Sequence, residues 1–240
     1  MKCTKCSKPI FDMDSTLCYD CWDKHERLMR RWAKAPALDV AGPTKGRATF
    51  KCSKMDRGAI QADAFNRVKA WCHSIRKHKT PRPLWLCLKG FPGVGKTHML
   101  CCASNYLTYY DIPHTFQRFG AYLDYCTNAR RNGGNSYEEI VGRKKSPMIL
   151  DEIGVEARFD DDDEDPRLLS EYSEAKFNAT NALFDYALNH KIPMLLATNL
   201  GTAQIPAYLG ARIAGPAGRF AEAGYRDFYC DWKDYRSESK

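Results

Sequence analysis

From residue 59 onward, short apolar runs alternate with longer stretches of helical periodicity. Residues 84–88, 114–119, 148–152, 192–198 and 228–230 are brief, apolar and rich in strand formers, so each reads as a strand. Between them, residues 59–78 carry Ile60, Ala64, Phe65, Val68, Trp71, Cys72 and Ile75 at three- and four-residue steps, the mark of an amphipathic helix. Residues 96–110, 121–131 and 173–190 read as further helices, with Ile112-Pro113 and Asn132-Gly133-Gly134 as stops. Strands in alternation with helices predict an α/β fold, a parallel sheet with helices on both faces.

Ahead of residue 48 the pattern changes. Cys3-Thr4-Lys5-Cys6 and Cys18-Tyr19-Asp20-Cys21 are two C-x-x-C knuckles separated by eleven residues. Each knuckle turns two thiolates towards one point, and four thiolates complete a tetrahedral zinc site. A module of this size cannot build a core, so bound metal would supply its folding energy. Residues 22–35 continue as a basic helical stretch with Leu28, Met29 and Trp32, and residues 36–47, with Gly42-Pro43 and Gly46, read as a linker. The expected division is a zinc-ribbon-like module and basic helix at 1–35, a linker at 36–47, and the α/β domain at 48–240.

The chemistry centres on Gly90-Phe91-Pro92-Gly93-Val94-Gly95-Lys96-Thr97, which fits the Walker A phosphate loop G-x-x-x-x-G-K-[ST] between a strand and a helix. The backbone N–H groups of such a loop close around a polyphosphate, and the new helix directs its positive end at the same anion. Lys96 would reach the β- and γ-phosphates of ATP, the Thr97 hydroxyl would hold Mg²⁺, and His98 follows within the nucleotide-binding set. The run 148–152 ends in Asp151-Glu152, a Walker B pattern. Asp151 would orient Mg²⁺ and Glu152 would polarise the attacking water. Asn199, after the run 192–198, is placed to sense the γ-phosphate.

Composition narrows the partners. The chain has 240 residues, 44% hydrophobic, enough for a real core, and a formal net charge of +8 that fits an acidic polymer. No run approaches the ~20 apolar residues of a membrane span and the N-terminus lacks a signal-peptide core, so the expected location is cytoplasmic, in a bacterial cell or phage-infected host. The eleven cysteines then read as thiols and metal ligands. Arg130, Arg131, Arg143, Lys144 and Lys145, with Tyr122, Tyr125 and Tyr137 nearby for stacking, are candidates for contact with single-stranded DNA. Arg76-Lys77-His78-Lys79 and Arg82 read as a solvated turn or a DNA contact. The acidic block 160–165 reads as a solvated loop and lacks the ligand spacing of an EF-hand.

Asp151-Glu152-Ile153-Gly154-Val155, Ala197-Thr198-Asn199, Leu209-Gly210-x-Arg212 and Asp231-Trp232-Lys233-Asp234-Tyr235-Arg236 occur in that order. Together they resemble the DnaC/DnaI/IstB group of AAA+ ATPases, and DnaC-type helicase loaders most closely, over residues 48–236. The resemblance implies an ATPase that loads a replicative hexameric helicase, binds single-stranded DNA and self-associates. Asn199 would be sensor 1, and Arg212 an arginine finger completing a neighbouring subunit's site. Gly215-Pro216-Ala217-Gly218 enlarges the turn between two arginines, so Arg219 competes for the finger role. A zinc-binding module ahead of the ATPase resembles the DnaI arrangement, in which it contacts the helicase. An IstB-like transposition helper and a nucleotide-gated adaptor with little turnover are the alternatives.

Overall fold

The computed structural model describes residues 48, 50, 59–133, 136–142, 146–155 and 174–230. The two C-x-x-C knuckles, the linker, the acidic block, Arg143 to Lys145 and the 231–236 string lie outside these residues.

Among the described residues the chain runs α1 (Ala59–Arg76), β1 (Trp85–Lys89), α2 (Lys96–Tyr109), β2 (Thr115–Arg118), α3 (Phe119–Gly133), α4 (Tyr137–Gly142), β3 (Met148–Ile153), α5 (Glu174–Asn189), β4 (Met194–Thr198), α6 (Gln204–Leu209), α7 (Ala211–Ala214), α8 (Arg219–Glu222) and β5 (Arg226–Tyr229). The strands form one sheet in the order β2-β3-β4-β1-β5, every pairing parallel.

Helices cover both faces, which is why the central strands are apolar runs and not alternating ones. Trp85 and Cys87 of β1, Met194 and Leu196 of β4, and Met148 and Leu150 of β3 pack on one side with α3, α4 and α5. Leu86 and Leu88, Leu195 and Ala197, and Ile149 pack on the other with α1 and α2. The helical pattern read from the sequence is realised in α1, where Ala64, Phe65, Val68, Trp71 and Cys72 are all buried. Cys72, Cys87, Cys101, Cys102, Cys126 and Cys230 are buried thiols outside any disulfide, packed among the apolar side chains. Burial pushes the Cys87 and Cys230 thiols up to about 12, well away from reactivity.

Four short helices were not legible as such: α4 and α6 have six residues each, and α7 and α8 four each. Tyr122 and Tyr137, expected to offer stacking faces, are instead core residues, 2% and 5% exposed. Tyr122 shares a helix face with Leu123 and Cys126, and the Arg130 guanidinium lies 4.5 Å over the Tyr137 ring. Tyr125 remains exposed.

Trp85 anchors one face. Its ring meets Phe184 and Phe220 edge-on at 5.4 and 5.7 Å, and its indole N–H donates to the Ile192 carbonyl at 3.1 Å. Trp85→Ala should cost about 3–5 kcal/mol of unfolding free energy. Trp85→Phe, which strands the Ile192 carbonyl, should cost roughly 1–3 kcal/mol. Urea unfolding of both variants checks this; a Trp85→Phe protein as stable as the parent would mean that the hydrogen bond contributes nothing.

Candidate functional site

In a parallel sheet the strands point their carboxyl ends to one edge, and loops leaving that edge gather the site. Here β1 runs directly into Gly90, β3 into Asp151 and Glu152, and β4 into Asn199. The register sets Lys89 and Ile153 opposite Thr198 on either side of β4. Asn199, exposed, therefore leaves the sheet between the phosphate loop and the acidic pair.

The loop is built on backbone that only glycine adopts easily. Gly90 has φ 143°, and a Cβ there would meet the Cys230 carbonyl oxygen at 2.5 Å. That carbonyl is held in place because Cys230 N–H donates to the Lys89 carbonyl at 2.6 Å. Gly95, at φ 90°, is the N-cap from which α2 starts. Lys96 is buried, and its ammonium donates to the Gly90 and Phe91 carbonyls at 2.6 and 2.8 Å. The cation thus lies folded across the loop that would cradle the phosphates. Val94 is buried beneath the loop, while Phe91 and Pro92 face outward.

Asp151 and Glu152 sit on an irregularity. Between Leu150 and Ile153 strand β3 advances three residues while β4 advances two, and Glu152 takes the left-handed φ of 59°. This is a β-bulge, which turns consecutive side chains away from the regular alternation. Asp151 is buried beside the Thr97 hydroxyl. Burial pushes its carboxyl above the usual carboxylate range, as does the neighbouring Glu152 charge, against the Thr97 hydrogen bond and the Lys96 ammonium. Glu152 is half-exposed and pairs with Arg118 at 3.2 Å.

Three contributors were not visible in the sequence. Arg118 ends β2, opposite Asp151 in register, and its partner lies 34 residues along the chain. Lys89 is a buried lysine one residue ahead of the loop, donating to the Thr202 hydroxyl at 2.8 Å and pairing with Asp227. Its one signal was a charge inside an apolar run. Asp185 of α5 accepts from both candidate finger residues, Arg212 and Arg219, at 2.5 Å each. Arg219 also pairs with Glu222. Arg131, at the exposed end of α3, is apart from the phosphate loop in sequence and element.

No protein-family model and no curated protein matches the sequence. Solved structures do match in three dimensions. A crystal structure of the DnaC helicase loader aligns with a TM-score of 0.56 and 14% identity, over 78% of this chain and 98% of that one. The fold is that of DnaC-type AAA+ proteins. DnaI aligns at 0.54 and 13% identity, over 80% of this chain and 92% of its own. The replication initiator DnaA, solved with AMPPCP and single-stranded DNA, aligns at 0.56 and 15% identity, over 76% of this chain and half of its own. The AAA+ fold is shared with a protein solved around an ATP analogue, and the loop, Lys96, Thr97 and Asp151 here fit that ligand class. The glycine cradle admits no Cβ at Gly90, a buried ammonium faces it, and a hydroxyl and a carboxylate meet beside it as donors suited to Mg²⁺.

The raised pKa of Asp151 carries a sign. The folded state holds this proton more tightly than the unfolded chain, so its contribution to stability declines as pH rises from the ordinary value of 3.8 through the raised one. Asp151→Asn should flatten that decline and leave the nucleotide-free protein at least as heat-stable as the parent at pH 7. The same variant should lose any rise in Tm that added Mg·ATP gives the parent. Thermal scans across pH, with and without Mg·ATP, check both; a destabilised variant would mean that Asp151 is held by favourable contacts that outweigh its burial.

Proposed function

We propose that this protein is an ATPase that loads a replicative hexameric helicase onto single-stranded DNA. The observation that carries the reading is the bulge. It sets a buried carboxylate against Thr97 and leaves a second, half-exposed carboxylate next to it, paired with Arg118 at the end of β2. One carboxylate is thereby suited to hold a metal and the other to handle water. The likeness to the DnaC helicase loader and to DnaI supports the biological role.

In this reading Lys96 exchanges the Gly90 and Phe91 carbonyls for the β- and γ-phosphate oxygens, losing no hydrogen bonds in the move. Thr97 and Asp151 hold Mg²⁺, which when bound supplies positive charge against the phosphate oxygens. Glu152 polarises the attacking water and Asn199 orients it against the γ-phosphate. Releasing Glu152 from Arg118 costs little, since an ion pair this exposed contributes under about 1 kcal/mol. Arg212 completes the site of the next subunit; with its side chain 64% exposed against 27% for Arg219, and with one carboxylate partner, it is the freer of the two. Residues 1–35 bind the helicase through a zinc module held by Cys3, Cys6, Cys18 and Cys21, and Arg131, Arg143, Lys144 and Lys145 contact DNA.

Lys96→Ala should weaken ATP binding and turnover together, whereas Glu152→Gln should keep binding and lose turnover. Arg212→Ala should preserve ATP binding to isolated subunits and cut turnover of the assembly by about a thousandfold. Titrating Glu152→Gln protein into Arg212→Ala protein tests whether neighbouring subunits share sites, and the same phenotype from Arg219→Ala alone would reassign the finger. Turnover unchanged in both Lys96→Ala and Glu152→Gln would remove the ATPase and leave the adaptor reading.

The zinc module has its own test. Metal analysis should find one zinc per chain, lost in Cys18→Ser, with ATP binding intact and helicase capture abolished. A Cys18→Ser protein that still captures the helicase would move that contact onto the AAA+ domain.

A further inference from the structure

At the sheet edge opposite the phosphate loop, the ends of α1 and α2 converge on the amino ends of β2 and β3. Thr115 N–H donates to the Pro147 carbonyl there at 2.9 Å, joining the two strand entries. A groove of about 560 Å³ opens between them, walled by Ile75, Arg76, Tyr110, Ile112, Pro113 and Pro147. His78 and Asp111, at φ 55° and 60°, turn the chain just after each helix.

The side chains at these helix ends form a layered platform. The Arg76 guanidinium lies 3.8 Å over the Tyr110 ring, and Tyr106 and Tyr109 pack on Tyr110 at 4.8 and 4.9 Å. His73 Nδ1 lies 3.2 Å from the Tyr106 hydroxyl, and Tyr109 is 49% exposed. Around the platform, residues 73–82 and 106–113 carry Arg76, Lys77, Lys79 and Arg82 against the single carboxylate of Asp111. A cation in the last turn of a helix answers the helix dipole, and that accounts for Arg76. Lys77, Lys79 and Arg82 come after the helix has ended and have no such explanation.

We propose that this groove is a binding site for single-stranded nucleic acid, reached independently of the nucleotide edge. Bases stack on the tyrosine layer beside Tyr109, and Lys77, Lys79 and Arg82 follow the phosphates. An exposed ring on a layer of packed tyrosines, flanked by basic residues, is what a sequence-tolerant single-strand site requires. An acidic peptide would use the cations and has no need of the stacked rings, so the nucleic acid is the better fit. The inference rests on the reading that this protein engages single-stranded DNA, and it adds a second contact surface to the one at Arg131 and residues 143–145.

The test is fluorescence anisotropy of labelled oligo-dT with the full chain in Mg·ATP across a salt series, with ATP binding as the fold control. The double variant Lys77→Glu, Lys79→Glu should weaken binding about tenfold or more and reduce the log–log salt slope by roughly 1.4, two phosphate contacts' worth. Tyr109→Ala should weaken binding about fivefold or more with the slope unchanged, since stacking releases no counterions. If these variants bind like the parent while neutralising Arg143, Lys144 and Lys145 removes binding, the groove is overturned and the DNA-binding reading stands. If Tyr109→Ala is silent and polyglutamate competes as well as DNA, the face is an acidic-protein contact and the proposal is overturned. If the parent itself binds no oligo-dT, both fall, and the ATPase assignment is untouched.

Discussion

A parallel sheet covered on both faces has nowhere in its interior to put charge. Leu86, Leu88, Leu195, Ala197 and Ile149 face one layer of helices while Trp85, Cys87, Leu196 and Leu150 face the other. Every group that does chemistry is therefore driven to the strand ends. Among the described residues the charged ones that enter the buried layer are Lys89, the last residue of β1, Lys96, beyond it, and Asp151, in the carboxyl-terminal half of β3. Each has partners there: Lys89 has Thr202 and Asp227, Lys96 has two loop carbonyls, and Asp151 has Thr97. The same constraint leaves the opposite edge to a second cluster, where Arg76 lies over Tyr110. The two ends of one sheet thus carry two chemistries that cannot touch each other.

The bulge at Asp151 and Glu152 is the point where regularity gives way. Regular β alternation would send adjacent side chains to opposite faces, and both faces are buried. One extra residue, with Glu152 at positive φ, lets Asp151 stay buried against Thr97 while Glu152 reaches the half-exposed edge. A non-glycine residue in that conformation is unfavourable by itself, and such outliers persist where surrounding contacts over-determine them. Those contacts are visible: Glu152 N–H donates to Asp151 Oδ1 at 3.0 Å, and Thr198 Oγ1 donates to the Ile153 carbonyl at 2.6 Å. Thr198 also accepts from Leu200 N–H at 3.0 Å, so one hydroxyl ties the acidic turn to the loop that begins with Asn199.

The fold was legible because its signals are local. Apolar runs too short for helices located the five strands of the described residues to within about two residues, the usual uncertainty of an element's ends; three-and-four-residue steps located α1, and length, composition and stop signals located α2, α3 and α5. What escaped was short or long-range. Six- and four-residue helices such as α6 and α7 cannot display a period, and Pro206 and Gly215 there read as breakers. Tyr122 and Tyr137 have the aromatic character of stacking faces and lie on buried ones; Leu123 and Cys126 beside Tyr122 mark that side. The phosphate loop and Asp151-Glu152 were readable as motifs. Arg118, Lys89 and Asp185 were not, since each matters through a partner brought close only by β-pairing or helix docking.

Asp185 bears on how a subunit could lend an arginine to its neighbour. Two guanidinium groups converge on this one carboxylate, and a second carboxylate, Glu222, serves only Arg219. Charge is balanced across the four groups but contacts are not. Arg219 holds two partners in a half-buried position, so withdrawing it would strand Glu222 and leave Asp185 with Arg212 alone. Withdrawing Arg212 leaves Asp185 still paired with Arg219, and it gives up one contact at a solvent-exposed rim, where ion pairs contribute under about 1 kcal/mol. A residue that must leave its own chain for another subunit's phosphates is better drawn from the second kind. The turn at Gly215-Pro216-Ala217-Gly218 lies between the two arginines and returns both guanidinium groups to the one carboxylate of Asp185.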